Sequence, residues 1–308
     1  MNDIYQKTLS EKISLEGIGL HSGKSVSISL LPAREDEGIV FKRTDLKSNN
    51  IIKANFSNVS SARLCTTLKN DHGIKVSTVE HLLAAFYIIG IDNAIVEIDN
   101  EEVPIMDGSS KDFINILKKY NLTTQNKKRK YLKISKKIEL IDGKRKISIE
   151  PNEESLQVSF QLNYENQIIG KQKNVIDFQK DNLDEVISSR TFCLFEDIEK
   201  IKKFGLAKGG SLDNAIVVND DKVLNKDGLR NEKEFVNHKI LDLAGDFLLS
   251  GFRIIGKVSC YQGGHELTNL FLRKLFNTQS TFQLIFQNKF EVSKNLQSKN
   301  LEKIAVNA

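Results

Sequence analysis

The chain has no apolar run approaching the ~18 residues needed to cross a bilayer; its longest, around Leu82 to Ile91, has the length of a core helix. Its first residues, MNDIYQKTLSEK, lack the basic start, apolar stretch and small-residue cleavage site of an export signal, so we expect a cytoplasmic protein. Cysteine is scarce: Cys65, Cys193 and Cys260 are an odd set without C-x-x-C spacing. That excludes a disulfide framework and a cysteine-ligated metal, and leaves reduced thiols. A phosphate-binding loop is missing too. Gly23-Lys24-Ser25 would need glycine where Ile18 stands, and Ser25 to Leu30 alternates like a strand where that motif requires a helix. Excess charge is small, +5 over 308 residues with pI near 8.8. It favours anionic partners such as a phosphate-bearing small molecule without requiring nucleic acid.

What is present is an ordinary globular composition, 40% hydrophobic and 28% charged, long enough for one large core or two medium ones. Lys7 to Leu15 and Lys24 to Leu31 alternate as strands around the turn Gly17 to Gly23. Ser77 to Ile89 changes to helical spacing, Gly90 ends it, and Ala94 to Ile98 reads as a buried strand before a helix at Lys111 to Lys119. Between Asn121 and Lys130 the chain is polar and basic without a core pattern, which places a domain boundary there. Tyr131 to Ile141 and Lys144 to Ile149 form a hairpin about Asp142-Gly143. A helix at Glu196 to Phe204, a strand at Asn214 to Val218, a helix at Glu232 to Ser250 and a strand at Arg253 to Cys260 follow.

The halves echo one another. Ser60-Ser61-Ala62-Arg63-Leu64-Cys65 resembles Ser188-Ser189-Arg190-Thr191-Phe192-Cys193, and each precedes a helix with candidate ligands, a glycine and an apolar strand. The expected class is α+β: two similar domains, each a β-sheet packed against helices, with the active site in the cleft between them. Domain boundaries fall at 1–125 and 126–290, leaving 291–308 as a motif-free tail expected to be disordered in part.

Three constellations carry chemistry. His238 and Asp242 stand four apart on a helix, so both side chains share one face and can supply two ligands of an open zinc site; an isolated pair at this spacing is more often a solvated ion pair. Ser77-x-x-Glu80 fits a capping box, whereas Glu80 next to His81 fits metal-assisted hydrolysis, in which a carboxylate takes a proton from the attacking water. His265, after two glycines, is placed as a protonated acid or electrostatic partner, with Asp246 to hold it. Lys127 to Lys146 holds ten Lys or Arg residues. Its readings are a solvated hairpin edge or a weak electrostatic approach to an anionic membrane or phosphate; no interleaved aromatics support a nucleic-acid groove.

Seven ordered blocks between about Gln6 and Phe286 resemble one family, the zinc-dependent UDP-3-O-acyl-N-acetylglucosamine deacetylases of lipid A synthesis. They are Leu15 to Lys24, Ser77-Thr78-Val79-Glu80-His81-Leu82, Pro104 to Ser109, Ser189-Arg190-Thr191-Phe192, Gly209-Gly210-Ser211, His238 to Asp242 and Gly264-His265. The resemblance implies one Zn2+ held by His81, His238 and Asp242, Glu80 as general base on the water, and Thr191 and Lys239 beside the oxyanion. His265, oriented by Asp246, would protonate the leaving amine. It also implies an apolar passage for an acyl chain at Leu194, Ile198, Gly210, Ser211 and Val217, with Phe192 beside the sugar; Leu64 and Cys65 are assigned to the substrate site as well.

The implied substrate is a UDP-linked acylated amino sugar, whose diphosphate accounts for part of the basic charge. A monomer is the default expectation, no nucleic-acid partner is expected, and a peripheral contact with the inner membrane surface is compatible with such a substrate. The chain departs from the family after Gly264-His265, where Glu266-Leu267-Thr268-Asn269 puts a carboxylate beside His265; Glu266 either raises the pKa of that histidine or points to solvent. A zinc deacetylase of another N-acyl sugar is the nearest rival, separable by dependence on the acyl chain. A basic RNA-binding module is the rival from another class and predicts tight, salt-sensitive RNA binding.

Overall fold

Period-two alternation at the start of the chain builds a sheet whose apolar face is covered by helices, as a one-sided core requires. The computed structural model describes residues 4–286. Strands β1 (Tyr5–Leu9), β2 (Ile13–Ile18), β3 (Ser25–Pro32), β4 (Ile39–Arg43) and β5 (Ile51–Lys53) come first. Short strands β6 (Val59–Ser61), β7 (Thr67–Lys69) and β8 (Lys75–Val76) lead to helix α1 (Glu80–Ile89), strand β9 (Ala94–Ile98) and helix α2 (Lys111–Leu117). The sheet runs β2-β3-β9-β4-β5, with β9 antiparallel to β3 and parallel to β4. Val26, Ile28 and Leu30 of β3, Val96 and Ile98 of β9, and Leu82, Leu83 and Phe86 of α1 lie in the buried core.

Strand β10 (Leu122–Lys128) then pairs antiparallel with β1. Beyond it come β11 (Lys130–Ile134), β12 (Ile138–Asp142), β13 (Arg145–Glu150), β14 (Leu156–Asn163) and β15 (Lys171–Asp177). Helix α3 (Asp184–Ser188), strand β16 (Phe192–Leu194), helix α4 (Phe195–Lys203) and strands β17 (Ile216–Asn219) and β18 (Lys222–Val223) follow. Helix α5 (Glu234–Leu248), strand β19 (Arg253–Tyr261), helix α6 (His265–Asn277) and strand β20 (Phe282–Phe286) complete the described chain. In the second large sheet β19 is antiparallel to β13 and parallel to β14, with β12 outside β13 and β15 outside β14. The order β12-β13-β19-β14-β15 thus repeats β2-β3-β9-β4-β5 in sequence and direction, and in both halves one helix precedes the central strand and another follows it. Each echo segment lies between the fifth strand of its sheet and that first helix. Strands β11 and β20 extend the second sheet beyond the repeat.

Some expectations change. The segment at 121–130 is not a structureless linker: β10 forms a two-stranded ribbon with β1, and its polar composition reflects the mostly exposed faces of that ribbon. Lys7 to Leu15 breaks into two strands at Ser10 to Lys12, and Tyr131 to Ile141 breaks at Ser135 to Lys137. Half of the basic stretch is paired within the protein: Lys127 meets Asp36, Arg129 meets Asp92, Lys137 meets Glu150, Lys146 meets Glu139, and Arg145 meets Asp142 and Glu266. The tail at 291–308 lies outside the described residues.

Helices α1 and α5 cross with backbones almost touching. A Cβ on Gly245 of α5 would lie 2.1 Å from the Glu80 carbonyl oxygen and 3.0 Å from the Ala84 nitrogen, so only glycine permits the approach. This crossing brings Glu80 and His81 of α1 against His238, Asp242 and Asp246 of α5.

Candidate metal and catalytic site

Helix α5 is buried along its whole length apart from Lys239. Its polar residues His238, Asp242 and Asp246 are therefore enclosed, and each needs a partner. His238 uses Nδ1 on the Ser189 carbonyl at 3.1 Å, which leaves Nε2 3.4 Å from Asp242 Oδ1. His81 Nε2 lies 3.5 Å from the same oxygen. One atom from each of His81, His238 and Asp242 lies within 4.8 Å of the others. Asp242 Oδ1 is buried and has no hydrogen-bond partner, a cost that a cation shared by these residues removes. Burial pushes the His238 pKa down to about 3, so its ring is a neutral ligand. Burial disfavours charge on Asp242, but His238, Lys239 and His265 around it hold its carboxyl well below the usual carboxylate range. The trio can hold one metal ion.

A second set of groups stands beside it. Glu80 accepts the Thr66 N–H on Oε2 at 3.0 Å, and its Oε1 lies 3.7 Å from His265 Nε2. Burial raises the Glu80 pKa, which suits a carboxylate that must take up a proton. The capping box does not form: the helix begins at Glu80 without a side-chain cap, and Ser77 Oγ donates to the Glu101 carbonyl. Thr78, at φ 55°, turns the chain sharply into α1 and donates its hydroxyl to Glu102. Asp246 Oδ2 meets His265 Nδ1 at 2.8 Å, and its Oδ1 accepts the Thr66 hydroxyl at 2.6 Å. Burial works against a charged His265, yet Asp246, Glu80 and Asp242 outweigh it and push its pKa up to about 10. Glu266 points away, exposed and 3.1 Å from Arg145, which resolves its two readings in favour of solvent.

Lys239 donates to Asp242 Oδ2 at 2.9 Å and lies 5.5 Å from the centre of the Phe192 ring. Thr191 is fixed from both ends of its backbone, its N–H on the Gly108 carbonyl and its own carbonyl accepting from Ile216, each at 2.8 Å. Next to it, Arg190 and Glu234 form a buried ion pair at 2.8 Å that ties this segment to the start of α5. A small chamber of about 30 Å³ is lined by Cys65, Glu80, His81, Thr191, His238, Lys239, Asp242 and His265 among others. Burial, with Glu80 nearby, pushes the Cys65 thiol up to about 12, so it serves as a wall and not as a nucleophile.

An apolar cavity of about 360 Å³ adjoins this chamber and shares Leu20, Leu64 and Thr191 with it. Ile198, Gly210, Ser211 and Val217 line it together with Phe195, Ile201 and Leu212, and so does Phe192, which the sequence reading set beside the sugar. Leu194 does not: it packs against the hydrophobic core on the same strand as Phe192. Sequence reasoning missed Thr66, which holds both Glu80 and Asp246, and Glu102, which accepts the backbone N–H groups of His21 and Ser22 at 2.7 Å and so fixes the Gly17 to Gly23 turn. Thr66 directly follows the first echo segment, which was the one signal available.

Two imidazoles and a carboxylate converging on one point, with a second carboxylate beside them to take up a proton, define the site of a metal-dependent hydrolase. The model of one family, UDP-3-O-acyl N-acetylglycosamine deacetylase, matches residues 6–277, and the chain belongs to that family. The UDP-3-O-acyl-N-acetylglucosamine deacetylase of Saccharophagus degradans is 43% identical over 285 residues, covering 92% of this chain and 93% of the relative. That of Syntrophotalea carbinolica is 41% identical over 283 residues, with 92% and 91% covered. The enzyme of Pasteurella multocida is 41% identical over 285 residues, with 92% and 93% covered.

Proposed function

We propose that this chain hydrolyses the N-acetyl group of UDP-3-O-acyl-N-acetylglucosamine, releasing acetate and UDP-3-O-acyl-glucosamine, as a step of lipid A biosynthesis. The observation that carries the reading is the junction of the buried His81, His238 and Asp242 trio with the apolar cavity, which suits a substrate with an amide at one place and a hydrocarbon chain at another. His81, His238 and Asp242 would hold a zinc ion, which would supply Lewis acidity when bound. Glu80 then takes the proton of the attacking water on Oε1, since Oε2 is held by Thr66. The Lys239 ammonium and the Thr191 hydroxyl donate to the oxygen on which charge develops, an arrangement in which loss of one donor costs roughly 3 kcal/mol. His265, with Nδ1 fixed by Asp246, keeps Nε2–H for the departing amine. Phe192 borders the sugar, Leu64 and Cys65 close the chamber, and Ile198, Gly210, Ser211 and Val217 receive the acyl chain.

The repeated strand order supports two similar domains, β2 to α2 and β12 to α6, meeting where α1 and α5 cross; the expected boundary at 125/126 falls inside β10. One chain supplies every group of the site, so we read the enzyme as a cytoplasmic monomer. Among the described residues no helix is long and apolar enough to cross a membrane; the acylated substrate supports a peripheral contact with the inner membrane surface.

The test is acetate release from UDP-3-O-acyl-N-acetylglucosamine by protein stripped of metal and titrated with zinc. We expect activity to peak near one zinc per chain and to fall sharply on a substrate without the 3-O-acyl chain. Indifference to the acyl chain moves the assignment to another N-acyl sugar, and a folded protein that binds no zinc rejects the site.

A further inference from the structure

Helix α4 has no buried residue, although Ile198 and Ile201 would bury readily. Its inner side, with Phe195, Ile198 and Ile201, forms one wall of the apolar cavity. Its C-terminal end runs outward to Phe204, which is 72% exposed, more than any other large hydrophobic residue among those described. Leu212 and Ile18, also exposed, lie in segments bordering the same end: Leu212 lines the apolar cavity with Ile201, and the Ile18 methyl packs at Gly209. Lys200, Lys202 and Lys203 make up the last turn, Lys208 follows, and the Arg63 guanidinium lies 5.7 Å from the centre of the Phe204 ring. The acids of the helix sit toward its start: Glu196 and Asp197 are in the first turn, and Asp197 pairs with Lys200 at 3.0 Å, leaving Glu199 as the one carboxylate near the tip. A broad groove beside the tip continues the positive charge with Lys24, Lys69 and Lys75, against Glu101 and Glu102.

We propose that the tip of α4 docks the enzyme on an anionic phospholipid surface, with Phe204 inserted among the lipids and Arg63, Lys202, Lys203 and Lys208 against the headgroups. A phenyl ring surrounded by long cationic side chains matches both layers of such a surface, because the stems lie along apolar material while the charges stay at the interface. Charge complementarity selects an anionic bilayer over a neutral one. The position of the helix gives the contact a use: its other side walls the acyl cavity, so docking places that cavity next to the phase from which an acylated substrate comes. This deepens the membrane contact inferred above and moves it away from Lys127 to Lys146, where Lys127, Arg129, Arg145 and Lys146 already have carboxylate partners.

The chain has no tryptophan, so Phe204→Trp gives a single reporter at the tip. Zinc-loaded full chain is mixed with vesicles of phosphatidylglycerol and phosphatidylethanolamine, or of phosphatidylcholine alone, and sedimented. We expect sedimentation with the anionic vesicles, weakened by salt, and a blue-shifted emission from the introduced indole that brominated acyl chains quench. Phe204→Ser should lower vesicle partitioning about tenfold and Lys203→Glu about fivefold, each leaving acetate release from a soluble short-acyl substrate unchanged. Sedimentation with unshifted emission, or indifferent to both substitutions, overturns the docking face while the peripheral contact stands. Failure to sediment at low salt overturns both, and acetate release decides the deacetylase reading separately. An emission shift that needs protein concentration and no lipid would assign the tip to a second copy of the chain and reject the proposal.

Discussion

Helices α5 and α4 are both amphipathic by sequence, and the fold treats them in opposite ways. Every residue of α5 but Lys239 is buried, between α1 on one side and sheet and helix on the others, whereas α4 buries none. The first carries the groups that must hold a fixed geometry for bond cleavage. The second walls an apolar cavity that, in the proposed reaction, admits a flexible chain. Rigidity has been placed where chemistry needs sub-ångström placement, and exposure where substrate must enter.

Substitutions can break that contrast. Glu80→Gln should reduce turnover by about 10²–10⁴-fold with zinc still bound, and His238→Ala should lose turnover and zinc together; elemental analysis of both variants checks the split, and zinc loss from Glu80→Gln would make Glu80 a ligand and not a base. Next in size, Thr66→Val should release Asp246, and with it His265, lowering kcat about 10–100-fold with little change in KM; an unchanged kcat would show that the hydroxyl positions nothing.

Gly245→Val drives side-chain atoms into the Glu80 carbonyl and should cost about 1–3 kcal/mol in thermal unfolding, while Ile198→Ala on α4 should stay within about 0.5 kcal/mol. Equal effects at the two positions would erase the difference between the helices. The smallest change in activity is expected for Gly210→Leu, whose side chain would extend from a Cβ 3.6 Å from Leu20. It should reduce kcat/KM for long acyl chains about tenfold relative to short ones, measured over a series of chain lengths.

Much of the site was legible because its residues are clustered along the chain. His238 and Asp242 are one helical turn apart, Glu80 and His81 are adjacent, and the blocks around Thr191 and His265 keep a recognisable order. Strand Ala94–Ile98 was read with its observed ends, since a buried central strand is a short apolar run between breakers. The ribbon strand β10 was invisible for the opposite reason: exposed on most positions, it carries no hydrophobic period, and only pairing with β1 makes it a strand. Leu194 illustrates a related failure, because a leucine in a cavity wall and a leucine in the core have the same letter.

The sequence alone determined the residue types, their spacing within single elements, the two-fold echo and the family. The tertiary structure decided the rest. Spacing along the chain says nothing about which helices meet, so the close crossing at Gly245, the partners of Glu102 and the double role of Thr66, which lies 180 residues from Asp246, emerge only when distant backbones pack. Protonation was decided there as well, since burial and neighbouring charge, which no linear pattern encodes, leave His238 neutral and His265 charged.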